Sequence, residues 1–206
     1  MENHLEITNQ AELSGLVLSQ PEFSHKSYGE SFYIFLLGIE RRSGYQDQIR
    51  ILISDHLICD EFPTPGQRVC VQGQIRTYNE FAEGRNKLNI LVFAKEFFPA
   101  ETEEEDENHI LLEGYLCKPP MVRVSPLGRE ICDLMLAVNR MYNKSDYIPC
   151  IAWGRNARYA GTLDVGTKVL IQGRIQSREY RKRDEEGEIT IKTAYEVSLL
   201  KIDVCV

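Results

Sequence analysis

Short segments in which apolar and polar residues alternate make up most of the 206-residue chain. They are rich in Val, Ile, Leu, Tyr and Phe and are separated by Gly, Pro, Asn and Asp, a pattern typical of β-strands joined by turns. Helical periodicity is scarce. The pattern predicts strands over residues 11–18, 31–40, 48–54, 67–78 and 87–97, and again over 109–117, 129–140, 147–153, 168–181 and 189–202. We therefore expect an all-β protein.

The segments between these strands indicate how the strands connect. Residues 155–163 carry small and apolar residues at helical spacing, which predicts one short helix after the third strand of the second group. Residues 125–128 predict a tight turn, and the charged residues 184–188 predict a hairpin tip. The resulting order, β-β-β-α-β-β, is that of the five-stranded Greek-key barrel known as the oligonucleotide/oligosaccharide-binding (OB) fold.

The two groups of strands are copies of one another. Segment 65–75 (PGQRVCVQGQI) recurs 100 residues later as segment 165–175 (VGTKVLIQGRI). Three residues typical of turns recur 99 residues later, where Gly15, Pro21 and Gly29 match Gly114, Pro120 and Gly128. A period near 100 residues is too long for a solenoid repeat. The chain is therefore expected to hold two tandem OB-fold domains, residues 1–100 and 108–206.

The segment between the two copies, residues 101–107, contains six Asp or Glu residues and no apolar residue. Because it has nothing to bury, it predicts a solvated, self-repelling linker. The alternative interpretation is that it mimics the phosphates of a nucleic acid and competes for a basic groove.

Charge is distributed unevenly along the chain. The net charge of −7 argues at first against a nucleic-acid partner. However, residues 1–100 carry a net charge of −4 and the linker −6, whereas residues 108–206 carry 15 Lys and Arg against 12 Asp and Glu. A polyanion responds to the local field, so the basic second copy is the expected binding domain.

Several classes of protein are not expected. The N-terminus lacks the basic start and apolar stretch of a signal peptide, and the nearly apolar run 32–39 is too short to cross a bilayer. The six cysteines lack zinc-site spacing, and the four histidines are scattered. There is no Gly-rich phosphate loop. These features predict a cytoplasmic, nucleoid-associated protein without metal, cofactor or catalytic residues.

The third and fourth strands of the second copy carry the most informative side chains. Period-two alternation in the third strand places one set outward, namely Tyr147, Pro149, Ile151 and Trp153, and one set inward, namely Ile148, Cys150 and Ala152. The fourth strand turns these residues outward: Gln172, Arg174, Gln176, Arg178 and Tyr180. Tyr142 precedes the third strand, and a basic hairpin follows the fourth.

A face that combines exposed rings with arginines fits single-stranded nucleic acid, because bases stack on rings and cations contact phosphates. The alternative is that the rings cover a barrel end or a subunit interface. The candidate nucleic-acid-binding residues are Tyr142, Tyr147, Trp153, Tyr180, Arg123, Arg140, Arg155, Arg174, Arg178, Arg181, Lys182 and Arg183.

The first copy has fewer residues suited to this role. Its third strand presents no outward aromatic residue, and its net charge is negative. A weaker set of candidates remains, namely Tyr45, Arg50, Arg76, Tyr78 and Phe81. The first copy is therefore expected to bind nucleic acid weakly and to act chiefly in assembly.

The second copy resembles the bacterial single-stranded DNA-binding proteins over almost all of residues 108–206. The segments that carry the resemblance are 108–114 (NHILLEG), 120–123 (PMVR), 126–128 (PLG), 136–138 (LAV), 147–154 (YIPCIAWG) and 166–175 (GTKVLIQGRI). The resemblance implies that Tyr142, Tyr147, Trp153 and Tyr180 stack on bases. It also implies phosphate contacts for Arg155 and Arg178.

The same resemblance carries expectations about assembly and role. It implies non-catalytic binding of single-stranded DNA in replication, recombination or repair. It also implies a homodimer that assembles four OB folds, with residues 13–18 and 110–116 in its contacts. Members of that family usually end in a long tail whose acidic tip recruits other proteins. This chain ends at Val206 soon after the last predicted strand, so recruitment through such a tip is not expected.

Two alternatives to this role stay open. The chain also resembles primosome accessory proteins, which use the same barrel to load replication enzymes. A third possibility is a protein-interaction scaffold that retains the barrels without binding DNA.

Overall fold

The computed structural model describes residues 8–58, 62–82, 84–100, 105–125, 127–183, 187 and 189–205. The first copy forms β1 (Asn9–Val17), β2 (Glu22–Ser27), β3 (Glu30–Glu40), β4 (Gln46–Ser54), β5 (Arg68–Ala82) and β6 (Arg85–Pro99). The second copy forms β7 (Glu107–Leu116), β8 (Met121–Val124), β9 (Glu130–Arg140), β10 (Lys144–Trp153), β11 (Lys168–Arg183) and β12 (Ile189–Val204). All ten predicted strands are therefore present.

Two short strands, β2 and β8, were not predicted. Every residue of β8 is exposed, as are five of the six residues of β2. Because neither strand covers the core, neither shows the alternation of apolar and polar residues that marks a half-buried strand. Each forms a hairpin with the strand that follows it.

Each copy closes into an OB barrel, as the sequence predicts. In the first barrel β1 pairs with β5 and β3, β5 pairs with β6, and β6 pairs in parallel with β4. The same pairings recur in the second barrel. Close approach of β1 to β3 depends on Gly15, because a Cβ atom there would collide with the carbonyl oxygen of Gly38. Gly114 meets Ala137 in the same way, which explains why glycine recurs at this position.

The predicted helix is present as α1 (Arg155–Ala160), shorter than the predicted segment 155–163. It packs Ala157 and Ala160, both fully buried, against the second barrel. In the first barrel the described part of the equivalent connection forms a 3₁₀ turn, Asp55–Leu57. The predicted turn at residues 125–128 is closed by a hydrogen bond from the Gly128 N–H to the Ser125 carbonyl oxygen, 2.8 Å. Of the predicted hairpin tip, only Gly187 lies among the described residues.

The two barrels share one continuous sheet. Strand β1 pairs antiparallel with β7, so that residues 9–14 lie opposite residues 107–112. These first strands, around residues 13–18 and 110–116, were expected to contribute to contacts between two chains. The structure pairs them with each other inside one chain, so these two edges are already hydrogen-bonded and do not face a second chain.

Two buried carboxylates bridge the barrels reciprocally. Asp47 of the first barrel accepts hydrogen bonds from the backbone N–H and hydroxyl of Ser177 in the second. Asp146 of the second barrel accepts the same two bonds from Thr77 in the first. Both carboxylates are fully buried. Each barrel therefore accepts the same pair of hydrogen bonds from the other through its buried aspartate. This reciprocal exchange means that a local twofold axis relates the two barrels.

The acidic segment 101–107 is not a simple solvated spacer where the structure describes it. Asp106 accepts a hydrogen bond from the Glu40 N–H, 2.6 Å, and forms an ion pair with Arg68. Glu107 already belongs to β7. Residues 101–104 lie outside the described residues. The described end of this segment is thus bound to the first barrel.

Candidate nucleic-acid interface

Strand β10 alternates as its sequence predicts at every position from 147 to 153 except Ile151. Ile148, Cys150 and Ala152 are buried inside the second barrel. Tyr147 and Trp153 keep 49% and 38% of their surfaces exposed on the opposite side. Burial raises the pKa of the Cys150 thiol, which therefore stays protonated and packs as a small apolar group. Two large rings thus face outward from one strand.

Trp153 is held in place by a neighbouring strand. Its indole Nε1 donates a hydrogen bond to the Ser198 hydroxyl of β12, 3.2 Å away. The parallel pairing of β10 with β12 sets Ile151 opposite Ser198 and so brings the serine within reach. Ile151 itself was expected to face outward but is buried, so the exposed rings lie at the two ends of this face. A ring fixed in this way loses little further freedom when a base stacks on it.

The long β11–β12 hairpin extends the face beyond the barrel. Tyr180 is 37% exposed and lies opposite Lys192. Three arginines of the same strand are exposed, namely Arg178, Arg181 and Arg183, and alternation places Arg178 on the side of Tyr180. The Lys182 side chain lies outside the described residues. Gln176 was also expected outward, but it is buried and donates to the Glu196 carboxylate.

Tyr142 lies at the tip of the β9–β10 hairpin. Its backbone adopts a left-handed conformation with φ of 61°, and that of Asn143 has φ of 55°. This region is unfavourable for a residue with a large side chain. The tyrosine ring is 87% exposed, and the adjacent Met141 is 77% exposed. The tight turn therefore presents an uncovered ring next to the strand that carries Tyr147.

Two of the candidate arginines are engaged by carboxylates. Arg140 forms an ion pair with the fully buried Asp146 and donates to the Thr77 carbonyl oxygen of the other barrel. Arg123 pairs with Asp133 on the surface of the second barrel. The structure therefore places Arg140 in the contact between the barrels and not on the face with the exposed rings.

Arg155 and Arg174 belong to different parts of the second barrel, α1 and β11. Arg155 begins α1 and is exposed. Arg174 is half-buried in a cleft between the barrels that also contains Arg41 and Asp106. The Arg174 Nε atom is buried without a hydrogen-bond partner among the described residues.

The candidates in the first barrel mostly contact one another or the second barrel. Arg50 donates to the Tyr78 hydroxyl, 3.2 Å, and Arg76 reaches Asp146, 3.2 Å. Burial lowers the pKa of Arg76. The Tyr45 ring lies 4.6 Å from the guanidinium carbon of Arg41. Phe81 is 74% exposed near the end of β5.

A cavity of about 560 Å³ opens on the outer side of the first barrel. Ile34, Leu52 and Phe93 give it an apolar wall, and Arg76 and Tyr78 border it. The first barrel therefore offers an apolar surface where the second barrel offers exposed tyrosine and tryptophan rings.

Among the described residues, no group of three or more His, Cys, Asp and Glu side chains is arranged to hold a metal ion. In the same part of the chain, no helix has the length and apolar character needed to cross a membrane.

Comparison with known proteins identifies the family. The model of the single-strand binding protein family matches residues 107–203. The single-stranded DNA-binding protein of Clostridium tetani is 33% identical over 102 residues, which cover 46% of this chain and 70% of that protein. The chain belongs to the single-strand binding protein family.

Other relatives of this family match a smaller share of the chain. Single-stranded DNA-binding protein A of Bacillus subtilis is 34% identical over 83 residues, covering 37% of this chain and 48% of that protein. The chain spans 53% of single-stranded DNA-binding protein 2 of Listeria innocua. It therefore spans about half the length of these curated relatives.

The wild-type single-stranded DNA binding protein from Thermus aquaticus shares the fold over almost the whole chain. The two structures superpose with a TM-score of 0.77, and the match covers 96% of this chain and 93% of that one. Sequence identity is 21%, so the likeness concerns the fold alone. Because it extends over both barrels, the tandem arrangement is itself a known form of this fold.

Within this single-strand binding family member, sequence reasoning missed one cation beside the rings. Lys192 lies opposite Tyr180 in the β11–β12 ladder. Cross-strand partners lie side by side on one face of a sheet. The sequence does not show which residue of β11 lies opposite which residue of β12, because the number of residues in the turn at the charged tip is not known in advance. Alternation alone indicates only which residues of β12 share a face.

Proposed function

We propose that this chain binds single-stranded DNA, chiefly through the second barrel, and catalyses no reaction. The observation that carries the proposal is the set of exposed rings on β10 and its neighbours, with Tyr147 49% and Trp153 38% exposed on a strand whose other side is buried. Bases stack on such rings, each contributing roughly 1–3 kcal/mol. The exposed arginines 178, 181 and 183 supply the phosphate contacts.

Family membership supports this proposal, because the family match covers the half of the chain that carries the rings. The relatives from Clostridium tetani and Bacillus subtilis are named for the same activity. A role in replication, recombination or repair follows from binding strands that those processes expose.

We also propose that two chains associate, which would bring four barrels together. The β1–β7 ladder is already used within the chain, so the second chain must approach through another surface. The outer face of the shared sheet is available, where His109, Gln172 and Leu200 border a shallow cavity of about 230 Å³. Light scattering at micromolar concentration should report twice the mass of one chain, and the mass of a single chain would contradict the dimer.

Trp153 offers a direct test of DNA binding, because it is the only tryptophan in the chain. Titration with a single-stranded oligonucleotide should quench its fluorescence, since a base stacks on the indole. A duplex of the same sequence should quench far less, because its bases are already stacked. Binding should weaken as salt concentration rises, since phosphate contacts release counterions. Absence of binding to any oligonucleotide at low salt would reject the proposed function.

A further inference from the structure

The backbone N–H of Tyr147 in β10 has its hydrogen-bond acceptor in the other barrel. It donates to the Thr77 hydroxyl of β5, 2.9 Å away. Strand β9 pairs with one edge of β10 along its whole length, whereas β12 pairs with the other edge only at Cys150 and Ile151. Alternate residues of a strand direct their N–H groups to the same edge, and Pro149 has no N–H. Among the described residues, no strand of the second barrel pairs with this edge at Tyr147, so the first barrel supplies the acceptor.

The Thr77 hydroxyl is itself held in place by the second barrel. The Thr77 backbone N–H donates to the Asp146 carboxylate, 2.6 Å, and its carbonyl oxygen accepts from the Arg140 guanidinium, 3.2 Å. The hydroxyl donates its proton to the same carboxylate, 3.2 Å. Because the proton is used in this way, a lone pair is directed to the Tyr147 N–H. Thr77 is buried, so water competes little for these hydrogen bonds.

The backbone that Thr77 holds carries one of the exposed rings. The Tyr147 side chain points to the outward face of β10, where about half of its surface is accessible. The direction of a side chain in a strand follows from the backbone at that position. Side chains that bind a ligand need a supporting set of hydrogen bonds to keep them in the binding position. The Thr77 hydroxyl provides this support at Tyr147.

The local twofold axis repeats the same contact in the first barrel without a ring. The Ser177 hydroxyl accepts a hydrogen bond from the Gln48 N–H, 2.9 Å, and lies 3.3 Å from the Asp47 carboxylate. Gln48 follows Asp47 as Tyr147 follows Asp146, so Gln48 and Tyr147 are equivalent positions. Both side chains are exposed, but only tyrosine offers a surface on which a base can stack. The chain thus contains its own control for this contact.

We infer that Thr77 of the first barrel is a positioning residue for DNA binding by the second barrel, and that it acts through the Tyr147 ring. This inference rests on the proposed function and deepens it. The first barrel contributes to affinity by holding the strand that carries the ring, with no contact between Thr77 and the DNA.

Affinity for a labelled single strand of about 8 nucleotides, which covers one barrel, tests the inference. Thr77→Val keeps the shape of the side chain and removes the hydroxyl, so it should weaken binding about fivefold, part of the loss for one stacking ring. Tyr147→Ala should weaken binding about tenfold. The double variant should bind no more weakly than Tyr147→Ala, because Thr77 acts through that ring. Losses that multiply in the double variant would overturn the inference.

Two further variants separate positioning from a general effect on the contact between the barrels. Thr77→Ser keeps the hydroxyl and should recover most of the affinity. Ser177→Ala removes the equivalent hydroxyl and should lower the free energy of unfolding about as much as Thr77→Val does. It should leave the affinity unchanged, because Gln48 carries no ring. Equal losses of affinity in Ser177→Ala and Thr77→Val would overturn the inference.

Hydrogen exchange in the parent protein, followed by NMR, tests the same coupling should Thr77→Val fold poorly. Coupling between two events is reciprocal, so the bound oligonucleotide should strengthen the hydrogen bond that favours its binding. Exchange of the Tyr147 amide should therefore slow on binding, and exchange of the Gln48 amide should not change. An unchanged rate at Tyr147 would overturn the inference, as would parent-like affinity in Thr77→Val, while DNA binding stands. If the parent binds no single strand, the proposed function itself fails.

Discussion

Asp146 of the second barrel accepts a 2.6 Å hydrogen bond from the backbone N–H of Thr77 in the first barrel, 69 residues earlier in the chain. The Thr77 hydroxyl then donates to the same carboxylate oxygen and accepts from the Tyr147 N–H. Tyr147 is also one of the exposed rings. Asp146, which joins the two barrels, directly precedes Tyr147 in β10. The contact between the barrels therefore also holds the backbone of the candidate binding face in place.

The first prediction concerns the stability that this contact provides. Asp146→Asn removes the negative charge while Arg140 and Arg76 remain beside it. Breaking a buried ion pair by removing one partner typically costs about 3–5 kcal/mol, because the remaining charge loses its compensation. We therefore expect the free energy of unfolding, measured by urea denaturation, to fall by about that amount.

Asp133→Asn is the matched control for this measurement. It breaks the Arg123–Asp133 pair, both members of which remain substantially accessible to water. Exposed pairs contribute about 0–1 kcal/mol, so this variant should be nearly as stable as the parent. Similar losses in the two variants would show that Asp146 does not hold the barrels together as its burial indicates.

Much of the fold could be predicted because it depends on local pattern. The outward positions of Tyr147 and Trp153 follow from period-two alternation in a strand with one buried side. The repeated glycines are readable for the same reason, since Gly15 and Gly114 stand where two backbones approach closely. These features can be predicted from neighbouring residues alone, without knowing which distant residues pack against them.

The role of Arg140 could not be predicted in this way. Its partners are Asp146, six residues later, and Thr77, which lies in the other barrel. No sequence pattern marks a contact of that separation, so an arginine near an aromatic strand is indistinguishable from a phosphate-binding one. Strands β2 and β8 were not predicted for a different reason. They do not cover the core, so their sequences lack the alternation of apolar and polar residues.

The second prediction separates two arginines that the sequence treats alike. Arg140→Ala should lower the free energy of unfolding by about 3 kcal/mol, because it leaves the buried Asp146 with one cation fewer. Arg178→Ala should leave stability unchanged, since the side chain is exposed. It should instead reduce the slope of log affinity against log salt by about 0.7, the value for one phosphate contact on a single strand.

Urea denaturation and oligonucleotide titrations at several salt concentrations measure the two effects. A stability loss in Arg178→Ala, or an unchanged stability in Arg140→Ala, would contradict the placement of these side chains.

The third prediction concerns how the domains 1–100 and 108–206 hold together. We expect a protease site inserted between residues 103 and 104 to be cleaved without separating the two halves. The β1–β7 ladder and the buried Asp47 and Asp146 contacts cross between the halves and do not require an intact chain. The cleaved protein should elute as one species in size-exclusion chromatography and separate only in denaturant. Elution as two species would mean that the barrels are tethered domains with a weak contact.

The fourth prediction concerns thiol reactivity. Burial raises the pKa of Cys150, so the thiolate, which is the reactive form, is scarcer at any given pH than for an ordinary thiol. In native protein at pH 8, alkylation followed by mass spectrometry should leave Cys150 unmodified. Cys205, half-buried near the end of the described chain, should react sooner. Rapid modification of Cys150 would show that β10 opens readily, contrary to its place in the core.

The fifth prediction concerns the indole of Trp153 as a stacking surface. Trp153→Ala should weaken binding of a single strand by roughly 1–3 kcal/mol, the usual loss for one stacking ring. Trp153→Phe keeps a ring on the same outward position, so it should recover much of that affinity. Fluorescence from the indole is lost in both variants, so affinity is measured by anisotropy of a labelled oligonucleotide.

The control for Trp153→Ala addresses the hydrogen bond that the indole donates to Ser198. Ser198→Ala removes that bond and keeps the ring, so any loss of stability from the bond alone appears in this variant. If the rings instead cover a subunit interface, Trp153→Ala should disturb the assembly measured by light scattering, and oligonucleotide affinity should not change. Unchanged affinity together with unchanged assembly would remove Trp153 from both roles. The binding face would then have to be sought around Tyr142 and Tyr180.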